Sequence, residues 1–173
     1  MPEIRIRPAT RDDVPLIVTF IHELAVYEKL AHLVVTSEAD LHTALFGDPP
    51  VVEAVIASVD DEPVGYALFF ASFSTFLGKP GLYLEDLYVR PAARGVGAGR
   101  KLLEHLACLV IERGWGRLEW SVLDWNEPSI AFYKKMGAKA MDEWTVFRME
   151  GEELTALALG DSRIAGSEDS EIR

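Results

Sequence analysis

A glycine-rich segment in the middle of the chain has the composition of an anion-binding loop. Three of its seven residues are glycine, and an arginine stands at each end of the segment. Glycine lets a backbone approach a bulky anion closely, and the first amides of a following helix attract negative charge. We therefore interpret the segment as a pyrophosphate site, with a purely structural turn as the alternative. The predicted phosphate-binding residues are Arg94, Gly95, Val96, Gly97, Ala98, Gly99 and Arg100.

Two other phosphate-binding loops fit this segment less well. A Rossmann loop follows the first strand of its domain and has an acidic ribose ligand about 20 residues further on. Residues 94–99 instead follow three or four predicted strands. A P-loop requires Gly-Lys-Ser/Thr, which does not follow Gly99. The context excludes the P-loop and disfavours a dinucleotide site.

A second segment makes the interpretation more specific. Residues 125–138 read WNEPSIAFYKKMGA, which resembles motif B of the GNAT acetyltransferases, and Arg94-x-x-Gly-x-Gly resembles their motif A. The resemblance covers residues 4–150 and is strongest to the diamine branch, which includes spermidine/spermine and thialysine N-acetyltransferases. The stretches YLEDLYV at residues 83–89 and ELAVYE at residues 23–28 also match that branch.

The resemblance implies acetyl-CoA as the co-substrate and assigns further residues to it. Besides the loop, the backbone of one strand is expected to pair with the pantetheine arm, and the start of motif B is expected to contact the cofactor. These residues are Leu87, Tyr88, Val89, Asn126, Glu127, Pro128 and Ser129.

Acetyl transfer to an amine also needs a base and an acid. A lysine-type amine has a pKa of about 10.4, so it must lose a proton before it attacks, and the departing thiolate must gain one. By resemblance, Glu85 is the base and Tyr133 is the acid, with Phe132 in the core. We expect Asp86 to point to the opposite face of a regular strand and to be structural.

The resemblance further predicts an acidic, aromatic-sided pocket for a small cationic amine. The motif that holds a distant ammonium in the spermidine enzymes is Asp-Pro-Trp, but this chain has Ser74-Thr75-Phe76. That departure favours a shorter amine, such as thialysine, a lysine analogue or a diamine, over a long polyamine. The predicted substrate-binding residues are Tyr27, Glu28, Glu85, Glu119, Trp120, Ser121 and an acidic residue before Trp144, either Asp142 or Glu143.

Hydrophobic periodicity and turn residues predict the elements that position these groups. The predicted strands are residues 3–7, 51–59, 64–72, 82–89 and 117–123, with one or two more in 138–149. The predicted helices start near residues 12, 37, 97 and 128, and Thr10 with Asp13 and Ser37 with Asp40 have capping-box spacing. We expect an α/β fold with a V-splayed mixed sheet between helices, a domain at 1–150 and a largely disordered acidic extension at 151–173.

Composition limits the remaining possibilities. The 173 residues carry a formal charge of −11, which disfavours nucleic acid as a partner. The apolar runs are too short to span a bilayer and the start lacks a secretory signal, so we expect no membrane association. The single cysteine, Cys108, predicts a cytoplasmic protein without a disulfide, and the four histidines have no metal-binding spacing. The resemblance to the diamine branch also implies that the protein is a homodimer.

Two alternative functions remain open at this stage. The chain could acetylate a protein or peptide amine, which an accessible pocket lined with acidic residues would disfavour. It could also be a regulatory module that binds coenzyme A without turnover. That second alternative predicts the loss of the acid or the base, yet Tyr133 and Glu85 are both present.

Overall fold

The computed structural model describes residues 2–160. Within this range the strands are Ile4–Pro8 (β1), Glu53–Val59 (β2), Glu62–Ser74 (β3), Lys79–Val89 (β4) and Leu118–Trp120 (β5). The α-helices are Val14–Tyr27 (α1), Glu38–Phe46 (α2), Ala98–Glu112 (α3), Glu127–Lys135 (α4) and Gly151–Ala158 (α5). The chain divides into two compact units, Met1–Met136 and Gly137–Arg173, and the first contains the whole sheet with α1 to α4.

Side-chain caps determine where the first two helices begin. Thr10 and Asp13 form the predicted capping box ahead of α1, and Ser37 and Asp40 form the one ahead of α2. The buried Asp13 carboxylate also accepts two hydrogen bonds of 2.7 Å from Arg7 of β1. These bonds hold the pKa of Asp13 well below its usual range and fix the start of α1 against the sheet.

The strands form one mixed sheet in the order β1-β2-β3-β4-β5. Neighbours from β1 to β4 are antiparallel, whereas β5 is parallel to β4 after the crossover through α3. The β4–β5 pairing covers Leu82–Leu84 and Leu118–Trp120, but β4 continues to Val89. The two strands therefore part, and we call the gap beside residues 85–89 of β4 the wedge.

Helices cover both faces of the sheet, which confirms the predicted fold class. On one face α1 and α2 pack on a buried cluster that includes Phe20, Leu41 and Tyr66. On the other face α3 packs on Leu82 and Leu84, with α4 residues against the same cluster. The sheet therefore lies between two hydrophobic cores, and the wedge has α1 on one face of the sheet and α4 on the other.

A β-bulge in β4 reverses the alternation of its side chains. Leu68 and Phe69 of β3 are consecutive, but their partners are Asp86 and Leu84, so Glu85 is the extra residue. Leu84 packs on the α3 side, whereas Tyr88 packs on the α1 side. Alternation on each side of the bulge therefore places Glu85 and Asp86 in succession on the α1 face. The expectation that they point to opposite faces is wrong, because the strand is irregular.

Two further expectations about the second half of the chain are wrong. The fifth strand is shorter than residues 117–123, and the described residues at 138–150 contain no strand. A strand needs a neighbour for its backbone hydrogen bonds, and within the described range no neighbour pairs with this segment. Of the extension expected at 151–173 to be largely disordered, Gly151–Ala158 form α5, and residues 161–173 lie outside those the structure describes.

Candidate active site

The predicted phosphate loop leads from β4 into α3 and has the required backbone conformation. Gly95 and Gly97 have φ values of +83° and +105°, in the left-handed region that disfavours other residues. No side chain caps the start of α3 at Gly97. The first amides of a fifteen-residue helix are therefore open to an anion, with the helix dipole behind them. This arrangement fits a diphosphate group.

The two arginines of the loop have different surroundings. Arg94 donates a hydrogen bond from Nε to the Val89 carbonyl at 2.9 Å, and its guanidinium lies 4.7 Å from the centroid of the Tyr27 ring. Arg100 pairs with Glu104 one turn along α3, at 2.7 Å. Arg94 is thus held at the loop, facing α1, whereas the charge of Arg100 is balanced on the helix surface.

Tyr27 connects the end of α1 to the start of α4. Its hydroxyl donates a hydrogen bond to Oδ1 of Asn126 at 3.0 Å, and its ring packs 6.1 Å from Trp125. Asn126 is buried, and the same oxygen accepts the Ser129 amide at the helix start. The predicted substrate residue Tyr27 therefore contacts two predicted cofactor residues, Arg94 and Asn126.

Three carboxylates gather where β4 bulges. The hydroxyl of the fully buried Tyr66 donates a hydrogen bond to Asp86 at 2.8 Å. Burial raises the pKa of Asp86, and the charge of Glu85 raises it further, against the effect of the Tyr66 hydrogen bond. Burial also raises the pKa of Glu28, as does the nearby Asp86. We call Glu28, Glu85 and Asp86 the acidic cluster.

The sequence analysis assigned Asp86 a structural role. The feature that could have indicated a place in the site is the adjacent pair of acidic residues within an otherwise apolar strand. A bulge that follows from pairing with β3 places both on one face, and no periodicity in β4 alone shows it. Glu85 is exposed at the bulge, whereas Asp86 is half-buried.

Tyr133 on α4 lies close to this cluster. Its ring packs against Trp120 of β5 at 4.9 Å and against Phe132 at 5.5 Å. Burial raises its pKa to about 12, and the charges of Glu28 and Tyr27 contribute. The phenol carries its proton at neutral pH, as an ordinary tyrosine does, and the raised pKa makes it a weaker acid than an exposed tyrosine.

The other predicted substrate residues divide into two groups. Trp120 contacts Tyr133, whereas Glu119 forms an ion pair of 2.6 Å with Arg117, and Ser121 hydrogen-bonds to Tyr83 at 2.8 Å. Glu119 and Ser121 thus have partners outside the acidic cluster. Asp142 and Glu143 belong to the second unit, and their role stays a prediction.

The hairpin loop that departs from the spermidine pattern has a structural serine. Ser74 is buried, and its hydroxyl accepts hydrogen bonds from the Leu77 amide and from Arg117, both at 3.2 Å. Phe76 at the tip is almost fully exposed. The position that differs from the spermidine enzymes therefore stabilises the loop of this chain.

Features of other function classes are absent from residues 2–160. No three side chains of the metal-ligating types are grouped to bind an ion in this range. Over the same residues, no helix has both the length and the apolar character that crossing a membrane requires.

Comparison with known proteins agrees with this geometry. Residues 17–138 match the model of the acetyltransferase (GNAT) family. Thialysine N-epsilon-acetyltransferase of Bos taurus is 38% identical over 91% of this chain and 99% of its own length. L-ornithine N5-acetyltransferase of Arabidopsis thaliana is 32% identical over 88% of this chain and 87% of its own.

Two further comparisons are with a third relative and with a solved structure. A spermidine/spermine N(1)-acetyltransferase-like protein of Homo sapiens is 34% identical over 91% of this chain, which corresponds to 24% of that protein. A solved integron cassette protein from the mobile metagenome of V. cholerae superimposes with a TM-score of 0.74, at 29% identity over 90% of this chain and 97% of its own. The chain therefore belongs to the GNAT family and is an acetyltransferase.

Proposed function

We propose that this chain transfers the acetyl group of acetyl-CoA to the primary amine of a small cationic acceptor, directly between the two bound substrates. The observation that supports this most is the acidic cluster beside a phenol that stays protonated. Burial is the main cause of the raised pKa of both Tyr133 and Glu28, and the added effects of Glu28 on Tyr133 and of Asp86 on Glu28 mean that the three groups lie near one another.

The cofactor side of the site fits coenzyme A. Residues 94–100 would bind its diphosphate through the amides that open α3. The edge of Leu87–Val89 at the wedge would accept the pantetheine arm as an added strand. An amide of this edge would polarise the thioester carbonyl, a contribution on the order of 3 kcal/mol. Acetyl-CoA itself supplies an acetyl group activated as a thioester.

The acidic cluster would prepare the amine. The carboxylates attract the ammonium, and a half-buried acid of raised pKa, such as Asp86, accepts its proton more readily than an exposed one. Glu85 is exposed and can pass the proton to water. Both residues are thus assigned to proton removal, with Glu28 and Tyr27 beside the bound amine.

Tyr133 would complete the reaction. The leaving sulfur of coenzyme A has a thiol pKa near the cysteine value of about 8.5, below the pKa of about 12 of Tyr133. The phenol would therefore stabilise the developing thiolate by a hydrogen bond and give up its proton only as the carbon–sulfur bond breaks. Tyr133 lies on the α4 side of the sheet, and the acidic cluster lies on the α1 side. The wedge between them gives the two substrates access from opposite faces.

The acceptor is proposed from charge and from the relatives. The relatives are named for thialysine, ornithine and spermidine/spermine. The acidic cluster suits any of these amines. Ser74, however, accepts hydrogen bonds within the hairpin loop and has no charge with which to bind a distant ammonium. Thialysine, a lysine- or ornithine-like amino acid, or a short diamine is therefore the proposed acceptor.

A homodimer and a cytoplasmic location are part of the proposal. The second unit exposes Trp144, Val146 and Phe147 by 69%, 80% and 92%, which is apolar surface suited to an interface. Cys108 is a free, exposed thiol, as expected in a reducing compartment. Analytical ultracentrifugation tests the dimer: a species of 19.2 kDa at micromolar concentration would contradict it.

A thiol-release assay tests the activity itself. Acetyl-CoA is mixed with thialysine, ornithine, 1,4-diaminobutane, spermidine and lysine-containing peptides, and mass spectrometry identifies the acetylated product. We expect turnover with the short amines and little with the peptides. Turnover confined to the peptides would contradict the proposed acceptor class.

A further inference from the structure

The turn that follows helix α1 contains an unusual residue, Lys29. The Lys29 amide bonds to the Val26 carbonyl at 3.1 Å, and the Leu30 amide bonds to the Ala25 carbonyl at 2.8 Å. This is a Schellman motif, and its left-handed position is normally glycine. Lysine occupies it with a φ of +63°, although a side chain is disfavoured there. The fold alone gives no reason for this side chain.

The Lys29 ammonium lies at the rim of the candidate site. Nζ is 5.2 Å from the centroid of the Trp125 ring, and Trp125 packs against Tyr27. The preceding residue is Glu28 of the acidic cluster. Lys29 therefore brings a positive charge to the edge of the pocket that contains the acidic cluster.

Other cations near the site are already engaged. Arg90 pairs with Glu23, Arg94 binds the Val89 carbonyl, and Arg100 pairs with Glu104. Lys29 has no ion pair or hydrogen bond through its ammonium among residues 2–160, and it is exposed. Its charge is thus available to a ligand.

We infer that Lys29 selects acceptors that carry a carboxylate in addition to the reacting amine. The ammonium attracts such a carboxylate while the acidic cluster takes the reacting amine, so these two groups of a diamino acid each meet an opposite charge in the site. The same ammonium repels the second ammonium of a diamine. This inference rests on the proposed acetyl transfer to a small amine and adds the residue that discriminates between acceptors.

Matched acceptors isolate the contribution of the carboxylate. Ornithine and 1,4-diaminobutane differ only by that group, as do thialysine and bis(2-aminoethyl) sulfide. For each pair, kcat/KM is measured for the wild type and for Lys29→Met, which keeps the length of the side chain and removes its charge. We expect kcat/KM to fall about fivefold for the amino acid and to rise about twofold for the diamine, in proportion to an exposed ion pair.

Three further variants separate selection from other effects. Lys29→Arg keeps the charge and should keep the ratio within about twofold. Lys135→Met removes an exposed lysine from α4 and should not change the ratio. Lys29→Gly relieves the backbone and should raise Tm by about 2–4 °C while the ratio falls as in Lys29→Met. A residue that serves only the fold could not give this combination.

Three other outcomes of these measurements would overturn either the inference or the proposed function. Equal changes for amino acid and diamine overturn the inference and leave the proposed function standing. A higher KM for acetyl-CoA with every acceptor assigns Lys29 to the cofactor and also overturns it. If the wild type acetylates neither member of either pair, the proposed function fails, and the inference fails with it.

Discussion

The two halves of the candidate site are built in different ways. The proposed cofactor half is one continuous stretch, residues 94–100, which offers backbone amides and two left-handed glycines. The amine half combines Glu28 from the end of α1 with Glu85 and Asp86 from a bulge in β4. A backbone site can be recognised in a short sequence, whereas a site made of side chains from distant elements depends on strand register and packing. Variants of each half should therefore have separate effects on KM for acetyl-CoA and on turnover.

The largest expected effect is the loss of kcat on removal of the Tyr133 hydroxyl, which lies between the two halves of the candidate site. Tyr133→Phe removes the proton donor but keeps the ring against Trp120, so kcat should fall about 1,000-fold while KM for acetyl-CoA changes less than about threefold. Steady-state thiol release measures both. Tyr83→Phe, which removes a phenol bonded to Ser121, is the control. Equal losses of affinity and turnover would show that Tyr133 only packs.

A somewhat smaller effect is expected within the acidic cluster. Asp86→Asn should lower kcat/KM for the amine about 100-fold, because the proton acceptor is lost. Glu85→Gln is measured beside it. If Glu85 alone is the base, the order of the two effects will be reversed.

Asp86→Asn should also raise stability. The raised pKa of Asp86 means that the folded state holds the proton more tightly than the unfolded chain does. Its contribution is complete below the unfolded pKa of about 3.9 and is lost as the pH rises through the folded value. The variant should thus gain about 1 kcal/mol at pH 8 and nothing at pH 3, as measured by denaturant unfolding. An equal gain at both pH values would contradict the assigned burial of this charge.

The next effect tests the cofactor half alone. Gly97→Ala forces a side chain into φ +105° at the start of α3, which should raise KM for acetyl-CoA about tenfold and leave KM for the amine nearly unchanged. Gly114→Ala places the same strain, φ +67°, at the other end of α3. It should lose similar stability without the change in KM. Similar KM values for both variants would mean that the loop is only structural.

The smallest expected effect on activity comes from the ion pair between the buried Asp13 and the exposed Arg7, outside both halves. Asp13→Asn weakens two hydrogen bonds from Arg7, so the free energy of unfolding should fall by about 2 kcal/mol at pH 7 with kcat unchanged. Because the pKa of Asp13 is lowered in the fold, its contribution is present above about pH 4 and is lost as the pH falls. Exposed Asp12→Asn is the control. A loss of turnover by Asp13→Asn would show that α1 positions Tyr27 and Glu28.

The sequence by itself determined the helix caps, the order of strands and helices through α4, the phosphate loop and the family resemblance. Each of these follows from contacts between residues close in the chain: Ser37 caps with Asp40 three residues away, and the loop presents its own amides at the start of α3. The boundaries of β5 and the closing strand were predicted wrongly, because a strand depends on a partner that local patterns do not reveal.

Tertiary structure decided how the chemistry-bearing side chains face one another. The bulge that brings Glu85 and Asp86 to one face arises from the pairing of β4 with β3. The raised pKa values of Asp86 and Tyr133 come mainly from burial by the packed sheet and helices. The contact of Lys29 with Trp125 joins residues far apart in sequence. Register, burial and long-range contacts are properties of the whole packed chain, and for that reason no local sequence pattern specified them.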